Sequence, residues 1–261
     1  MKRLFDILFP LVVAALLLGF WQWKVRHDAV PVYVLPGPSD IANAFAANFL
    51  SLMTSLWATL TVTVLAFVFA AVFALAWAIA FAESRTIERA FYPYAITIQV
   101  TPVVAIAPLI ILWIGYDRIM LAEILIAGIV AFFPILSNAT QGLKSADYNL
   151  IDLARLYGAS RWQILWRIRL PSALPFLLTG MKTAGGLALI GAVVAEFVAG
   201  SGTATGLAWR IIEAGNRLQI ATMFAALALL ALLGIAIFAA LSGLEYLLLR
   251  RWHESALKRP S

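Results

Sequence analysis

The sequence predicts an all-α integral membrane protein with six transmembrane helices, on three observations. First, 63% of the 261 residues are hydrophobic and only 12% are charged, with a mean hydropathy of +0.94. A soluble domain carries about twice that charged fraction, and its surface could not hide so much apolar side chain. Second, six apolar stretches reach the ~20 residues a bilayer-crossing helix needs: roughly residues 4–23, 56–82, 93–115, 119–140, 174–199 and 220–249. Barrel strands would be about half as long and would alternate in polarity. Third, the basic residues are lopsided. With the N-terminus inside, the inner segments hold 13 of the 19 Lys and Arg residues and the outer ones five, with Lys182 inside the fifth span. That bias predicts cytoplasmic N- and C-termini for a single transmembrane domain over residues 1–261.

The first span follows Lys2 and Arg3, as a signal peptide would, but ends in Phe20-Trp21-Gln22-Trp23-Lys24 without a small-residue cleavage site. It therefore reads as an uncleaved span. In the loop that follows, Pro31, Pro36, Gly37 and Pro38 force a turning path. Ser39 and Asp40 are then expected to cap an interfacial helix running from about Ile41 to Leu52. Span two offers small residues at Ala70, Ala74, Ala76 and Ala80 for close helix contact. Pro102 and Pro108 interrupt span three and free backbone carbonyls, which makes them candidates for a kink beside a translocation path.

Glu123 near the outer end of span four and Glu245 near the inner end of span six are expected at the interfaces, with Lys182 snorkelling to headgroups. Glu196 in span five has Ala188, Ala192, Ala199 and Gly200 at helical spacing. That small-residue face suits close helix contact or a path, so Glu196 joins the two prolines as a path candidate; a structural or interfacial role is the plainer alternative. Trp21, Trp23, Trp57, Trp113, Trp209 and Trp252 lie near span ends, as an aromatic belt requires.

The most informative segment is the inner loop at 141–173. Leu150, Leu153, Ala154 and Tyr157 fall at the i, i+3, i+4, i+7 spacing of an amphipathic helix. Gly158 fits its C-terminal turn, and Ser160 fits the cap of a second helix whose Ile164, Leu165 and Ile168 share a face. Pro171 is expected to stop that helix, and Pro175 to open the fifth span.

Asp152-Leu153-Ala154, Gly158, Ile168 and Leu170-Pro171 stand at the spacing of the EAA signature, and the segment resembles that of ABC-importer permeases. Asp152 keeps the carboxylate of the usual Glu, and Leu153 replaces an Ala. Further similarity lies in Gln99-Val-Thr-Pro102, Ala105–Gly115, Phe132–Ile135 with Asn138 and Gly142, and Ala195-Glu196-Phe197 with Gly206-Leu207. It is that of permeases importing nitrate, sulfonates, taurine, and pyrimidine or riboflavin precursors.

The resemblance implies a type I importer permease subunit in a bacterial cytoplasmic (inner) membrane, paired with a second copy. Two cytoplasmic ABC ATPases and an extracytoplasmic substrate-binding protein would complete the assembly. It also implies that the loop is a coupling element, with Asp152, Ala154, Arg155, Gly158, Ala159, Arg161, Ile168, Leu170 and Pro171 as the ATPase-coupling residues.

Absences narrow the chemistry. There is no cysteine, and the two histidines, His27 and His253, sit near opposite ends of the chain. No catalytic, cofactor-binding or metal-ligating set can be assembled, so an integral-membrane enzyme is disfavoured. No phosphate-cradling Gly-Lys-Ser/Thr motif is present, and the glycine-rich stretch Gly200–Gly206 lacks the lysine. ATP and Mg are thus expected on a partner ATPase. The net charge of +6 reads as retention of inner-side cations rather than nucleic-acid binding. The rival reading is an ion-gradient-driven secondary transporter, which would favour midplane ionisable groups and repeated broken helices.

Overall fold

The computed structural model describes residues 2–200 and 205–250, with side chains from Leu8 onward. Trp252, residues 201–204 of the glycine-rich stretch and the basic residues Arg251, Lys258 and Arg259 lie outside the described residues. Every regular element among the described residues is helical. In chain order they are α1 (Lys2–His27), α2 (Pro38–Ala47), α3 (Phe49–Glu83), α4 (Arg85–Val100), α5 (Val103–Ile114), a 3₁₀ turn at Tyr116–Arg118, α6 (Ile119–Lys144), α7 (Tyr148–Leu156), α8 (Arg161–Ile164), a π-helical turn at Leu165–Arg169, α9 (Leu170–Ala199), α10 (Leu207–Asn216) and α11 (Ile220–Leu249).

Five segments are long and apolar enough to cross a membrane, and α4 with α5 makes a sixth if that bent pair counts as one span. The third expected span is therefore broken, not merely kinked. Its two helices meet at 102°. Thr101 and Pro102 both adopt extended backbone, because a residue before proline is pushed out of the helical region.

Other boundaries also differ from expectation. The interfacial helix starts at Pro38, with Gly37 as its N-cap and the Asp40 carboxylate accepting from the Gly37 N–H at 2.9 Å. It ends at Ala47, and the residues from Phe49 to Leu52 already belong to α3. Pro171 stops nothing: α8 passes through the π turn into α9 without a break. The Leu170 N–H reaches back to the Leu165 carbonyl, and this looser winding makes room for a proline ring that would clash with an ordinary helical carbonyl.

The chain divides into two compact units, and α3 and α11 contribute to both. The first holds Met1–Ala58 with Thr205–Leu232. Its core gathers Leu52, Leu207, Ala225, Ala226 and Leu229 under Ile41 and Phe45. Arg210 donates to the buried Ser55 hydroxyl at 3.0 Å and pairs with Glu213 at 2.6 Å, which ties α10 to the start of α3.

The second unit holds Thr59–Ala204 with Leu233–Ser261. Its heart is the antiparallel pair α6 and α9, which meet at glycine distance. A Cβ on Gly191 would lie 2.7 Å from the Ala127 Cα, and one on Gly180 would lie 2.8 Å from the Asn138 Cβ. Small residues are what allow helices in lipid to gain dispersion and backbone contact, since hydrophobic burial drives little there. The α3 stripe on this core is Ala66, Ala70, Ala74 and Ala78, one residue every turn. Of the four alanines read from the sequence, Ala70 and Ala74 lie on it; Ala76 faces outward and Ala80 is half-buried.

Replacing Gly191 with Val should therefore destabilise the chain by about 1–3 kcal/mol through overpacking, read as a lowered thermal transition in detergent. Gly186→Ala on the same helix meets open space and should leave the transition unchanged or slightly higher.

Candidate functional site

Residues 147–171 form a compact helix–turn–helix element between the ends of α6 and α9. Asp147 opens α7, its carboxylate accepting from the Asn149 N–H at 2.8 Å. Gly158 closes it at φ +76°, a conformation that costs other residues steric energy. The Gly158 N–H bonds to the Arg155 carbonyl at 2.9 Å and the Ala159 N–H to the Ala154 carbonyl at 3.0 Å. This is the paired bonding of a Schellman turn. Ser160 and Gln163 then cap α8 reciprocally, at 2.7 and 3.3 Å.

The element has two faces. Inward, Ala146, Ile151 and Ile164 are buried with Ala154, Ala159 and Ile168 against them. Outward stand Leu150, Leu153, Leu156, Tyr157 and Trp162, with Leu156 84%, Tyr157 85% and Trp162 67% exposed. Asp152, Arg155 and Arg161 are also exposed, and Asp152 holds Arg155 at 3.1 Å. Of the nine coupling candidates, Asp152, Arg155, Gly158, Arg161 and Pro171 are thus accessible. Ala154, Ala159 and Ile168 are half-buried and brace the element from beneath, whereas half-buried Leu170 packs on the span core. Sequence reasoning did not place Leu156 and Trp162 in the site. Their signal was large apolar side chains either side of a glycine, in a segment outside the spans.

The element is anchored to the helices around it. Arg169 donates to the Ala82 carbonyl at 3.0 Å and pairs with Glu83 at 3.1 Å, so it satisfies the C-terminal end of α3. Lys144 at the end of α6 pairs with Glu88 of α4.

Within the spans, Glu196 is only 1% exposed and Glu123 is also buried, so both carboxylates are enclosed by neighbouring helices. Thr59 of α3 donates to Glu196 Oε1 at 2.7 Å, and Thr63 donates back to the Thr59 carbonyl. The antiparallel register of α6 and α9 sets Glu123 at about the level of Glu196. Lys182 does not stand alone: its ammonium pairs with Glu245 of α11 at 2.5 Å and lies 5.7 Å from the Phe238 ring centre. Pro102 and Pro108 are exposed whereas Glu196 is enclosed. Among the described residues no cluster of three potential metal ligands occurs.

Residues 66–254 match the family described as binding-protein-dependent transport system inner membrane component. The chain is 41% identical over 246 residues to the riboflavin transport system permease protein of Chloroflexus aurantiacus, covering 94% of this chain and 90% of that protein. It is 33% identical over 250 residues to the formylaminopyrimidine transport permease protein of Halalkalibacterium halodurans, covering 95% and 98%. Identity is 30% over 226 residues to a putative aliphatic sulfonates transport permease protein of Bacillus subtilis, covering 86% and 80%.

The α9–α11 ion pair generates a thermal-stability cycle. Glu245→Leu alone strands a cation inside the helix bundle and should cost about 1–3 kcal/mol. Lys182→Met with Glu245→Leu should recover most of that loss, because both desolvated charges go together. Thermal transitions of the single and double variants in one detergent check this.

Proposed function

We propose that this chain, which belongs to the family of binding-protein-dependent transport system inner membrane components, is the permease subunit of an ATP-driven importer. It spans a bacterial cytoplasmic membrane six times, with both termini inside. Two copies enclose the route for a small solute that an extracytoplasmic binding protein delivers. Each copy receives work from one of two cytoplasmic ATPases, which hold the ATP and Mg.

The observation that carries this reading is the two-faced element at 147–171. Its inner face is buried against its own small core, and its outer side leaves three leucines and four aromatic residues, Tyr148, Tyr157, Trp162 and Trp166, exposed. A surface of that kind is stable in water only when a partner covers it. Leu150, Leu153, Leu156, Tyr157 and Trp162 supply the buried contact with the ATPase, and Asp152, Arg155 and Arg161 fix its orientation. Gly158 keeps the turn tight, and Ala154, Ala159, Ile168, Leu170 and Pro171 keep the element stiff enough to transmit a push.

For the route itself, the break at Thr101-Pro102 is the better candidate. Irregular backbone at membrane depth needs protein or water to satisfy it, and Pro108 continues that exposed side. Glu196 instead braces α9 against α3 through Thr59. The substrate is a heterocycle of the flavin or pyrimidine kind rather than a small anion. Supporting this is the name of the riboflavin permease, at 41% identity over 94% of this chain, set against 30% for the Bacillus subtilis sulfonate permease.

The test is uptake into proteoliposomes that contain this chain with its ATPase and binding protein. ATP-dependent uptake of riboflavin or a pyrimidine, lost when the ATPase is omitted, is the expected result; uptake by the chain alone on an ion gradient would contradict it. Gly158→Asp should abolish that uptake while membrane insertion holds and the thermal transition falls only slightly: a Cβ there meets open space, and the cost is the strain of a side chain at φ +76°. Gly158→Asn, which bears the same backbone strain without the charge, should keep more uptake than Gly158→Asp.

A further inference from the structure

Where α3 ends and α4 begins, the second unit holds a cavity of about 820 Å³. Five cations line it: Arg85, Arg89, Lys144, Arg155 and Arg169. Two carboxylates stand against them, and both are engaged, Glu83 by Arg169 and Glu88 by Lys144. Arg85 and Arg89 have no ion-pair partner among the described residues.

Their position makes this unfavourable on two counts. They lie four residues apart on α4, where like charges repel. They also occupy the first two turns of a 16-residue helix, where the macrodipole favours anions and disfavours cations. A bound anion relieves both.

A second feature says what kind of anion. The cavity shares Phe81 with an apolar groove of about 160 Å³ between α3, α4 and α6. Along α4 the two follow one another: Arg85, Arg89 and Tyr92 line the cavity, and Phe91, Tyr94 and Ile98 line the groove. The groove's walls are aromatic, with the Trp77 and Phe91 rings 5.1 Å apart. Charge followed by apolar channel along one helix is the layout of a phospholipid, headgroup first and acyl chain after. A free phosphate would use the cavity and leave the groove idle. A zwitterionic headgroup would bring a further cation to a lining already rich in them.

We propose that the cavity and groove bind one anionic phospholipid of the adjacent leaflet. Its phosphate sits on Arg85 and Arg89, and one acyl chain follows the aromatic groove. This is the chemistry by which basic pockets between membrane helices hold anionic headgroups. Tyr148, Ile151 and Arg155 of α7 form another wall of the cavity, so the lipid supports the inner side of the helix–turn–helix element. The proposal rests on the helices being membrane spans; its phosphate site, Arg85 and Arg89, is separate from the proposed ATPase contact, with which the cavity shares only Arg155.

Native mass spectrometry of the purified chain, titrated with phosphatidylglycerol, phosphatidylcholine or inorganic phosphate, tests it. Phosphatidylglycerol should bind at least tenfold more tightly than phosphatidylcholine. Arg85→Gln with Arg89→Gln should remove that advantage, whereas Arg118→Gln, at the other end of α6, should keep it. Ile98→Trp, which fills the groove and leaves the cations in place, should also weaken phosphatidylglycerol and so guards against a misfolded double variant. Undiminished phosphatidylglycerol binding in both the double variant and Ile98→Trp would overturn the proposal. So would equal binding of the two lipids, or displacement of phosphatidylglycerol by inorganic phosphate at matched concentration.

Discussion

The contact between α6 and α9, with glycine against backbone at successive levels, decides where the polar groups of the second unit lie. At one level Gly191 meets Ala127, and at another Gly180 meets Asn138 and the Pro134 carbonyl. Near one end, the same register sets Glu123 at about the level of Glu196. At the other, Gly142 lies against Ala173 and Phe176, so the two strands of chain that leave for residues 145–169 start from fixed points. An element mounted on two locked helices can tilt with them but cannot slide between them.

That mounting gives the helix–turn–helix element its mechanical character. Its own core is small, three buried residues with three more against them, too little to hold shape alone. Stiffness comes from its attachments: the Schellman turn at Gly158, the reciprocal cap at Ser160, the continuous passage into α9, and Arg169 tied to the end of α3. In the proposed importer, a push on Leu156 and Tyr157 is delivered to α9 without a flexible joint, since even Pro171 is absorbed by the π turn rather than forming a hinge.

Much of this was legible in the sequence. The apolar stretches, the glycine turn, the Ser160 cap and the shared face of Ile164 and Ile168 rest on local rules of length, period and backbone preference; Leu165, expected on that face, packs in the span core instead. What escaped depends on distant partners. Leu150, Leu153 and Tyr157 showed the spacing of a buried face, yet the chain buries Ile151 instead and leaves them outside. Periodicity identifies an apolar stripe but not which surface will cover it. Glu123, Lys182 and Glu245 each read as lone interfacial charges, because interhelical register is set by glycine contacts far along the chain. The Thr101-Pro102 break was foreseeable from proline sterics, but its 102° angle follows from how α5 settles on α6 and α9.

The decisive measurement is photo-crosslinking in membranes from cells that make the whole transport system. A benzophenone amino acid would replace Leu156 in one variant and Ile151 in another. The Leu156 variant should capture a cytoplasmic ATPase and the Ile151 variant should give no ATPase adduct. Labelling of lipid or an extracytoplasmic protein from Leu156, with no ATPase adduct, would contradict the account.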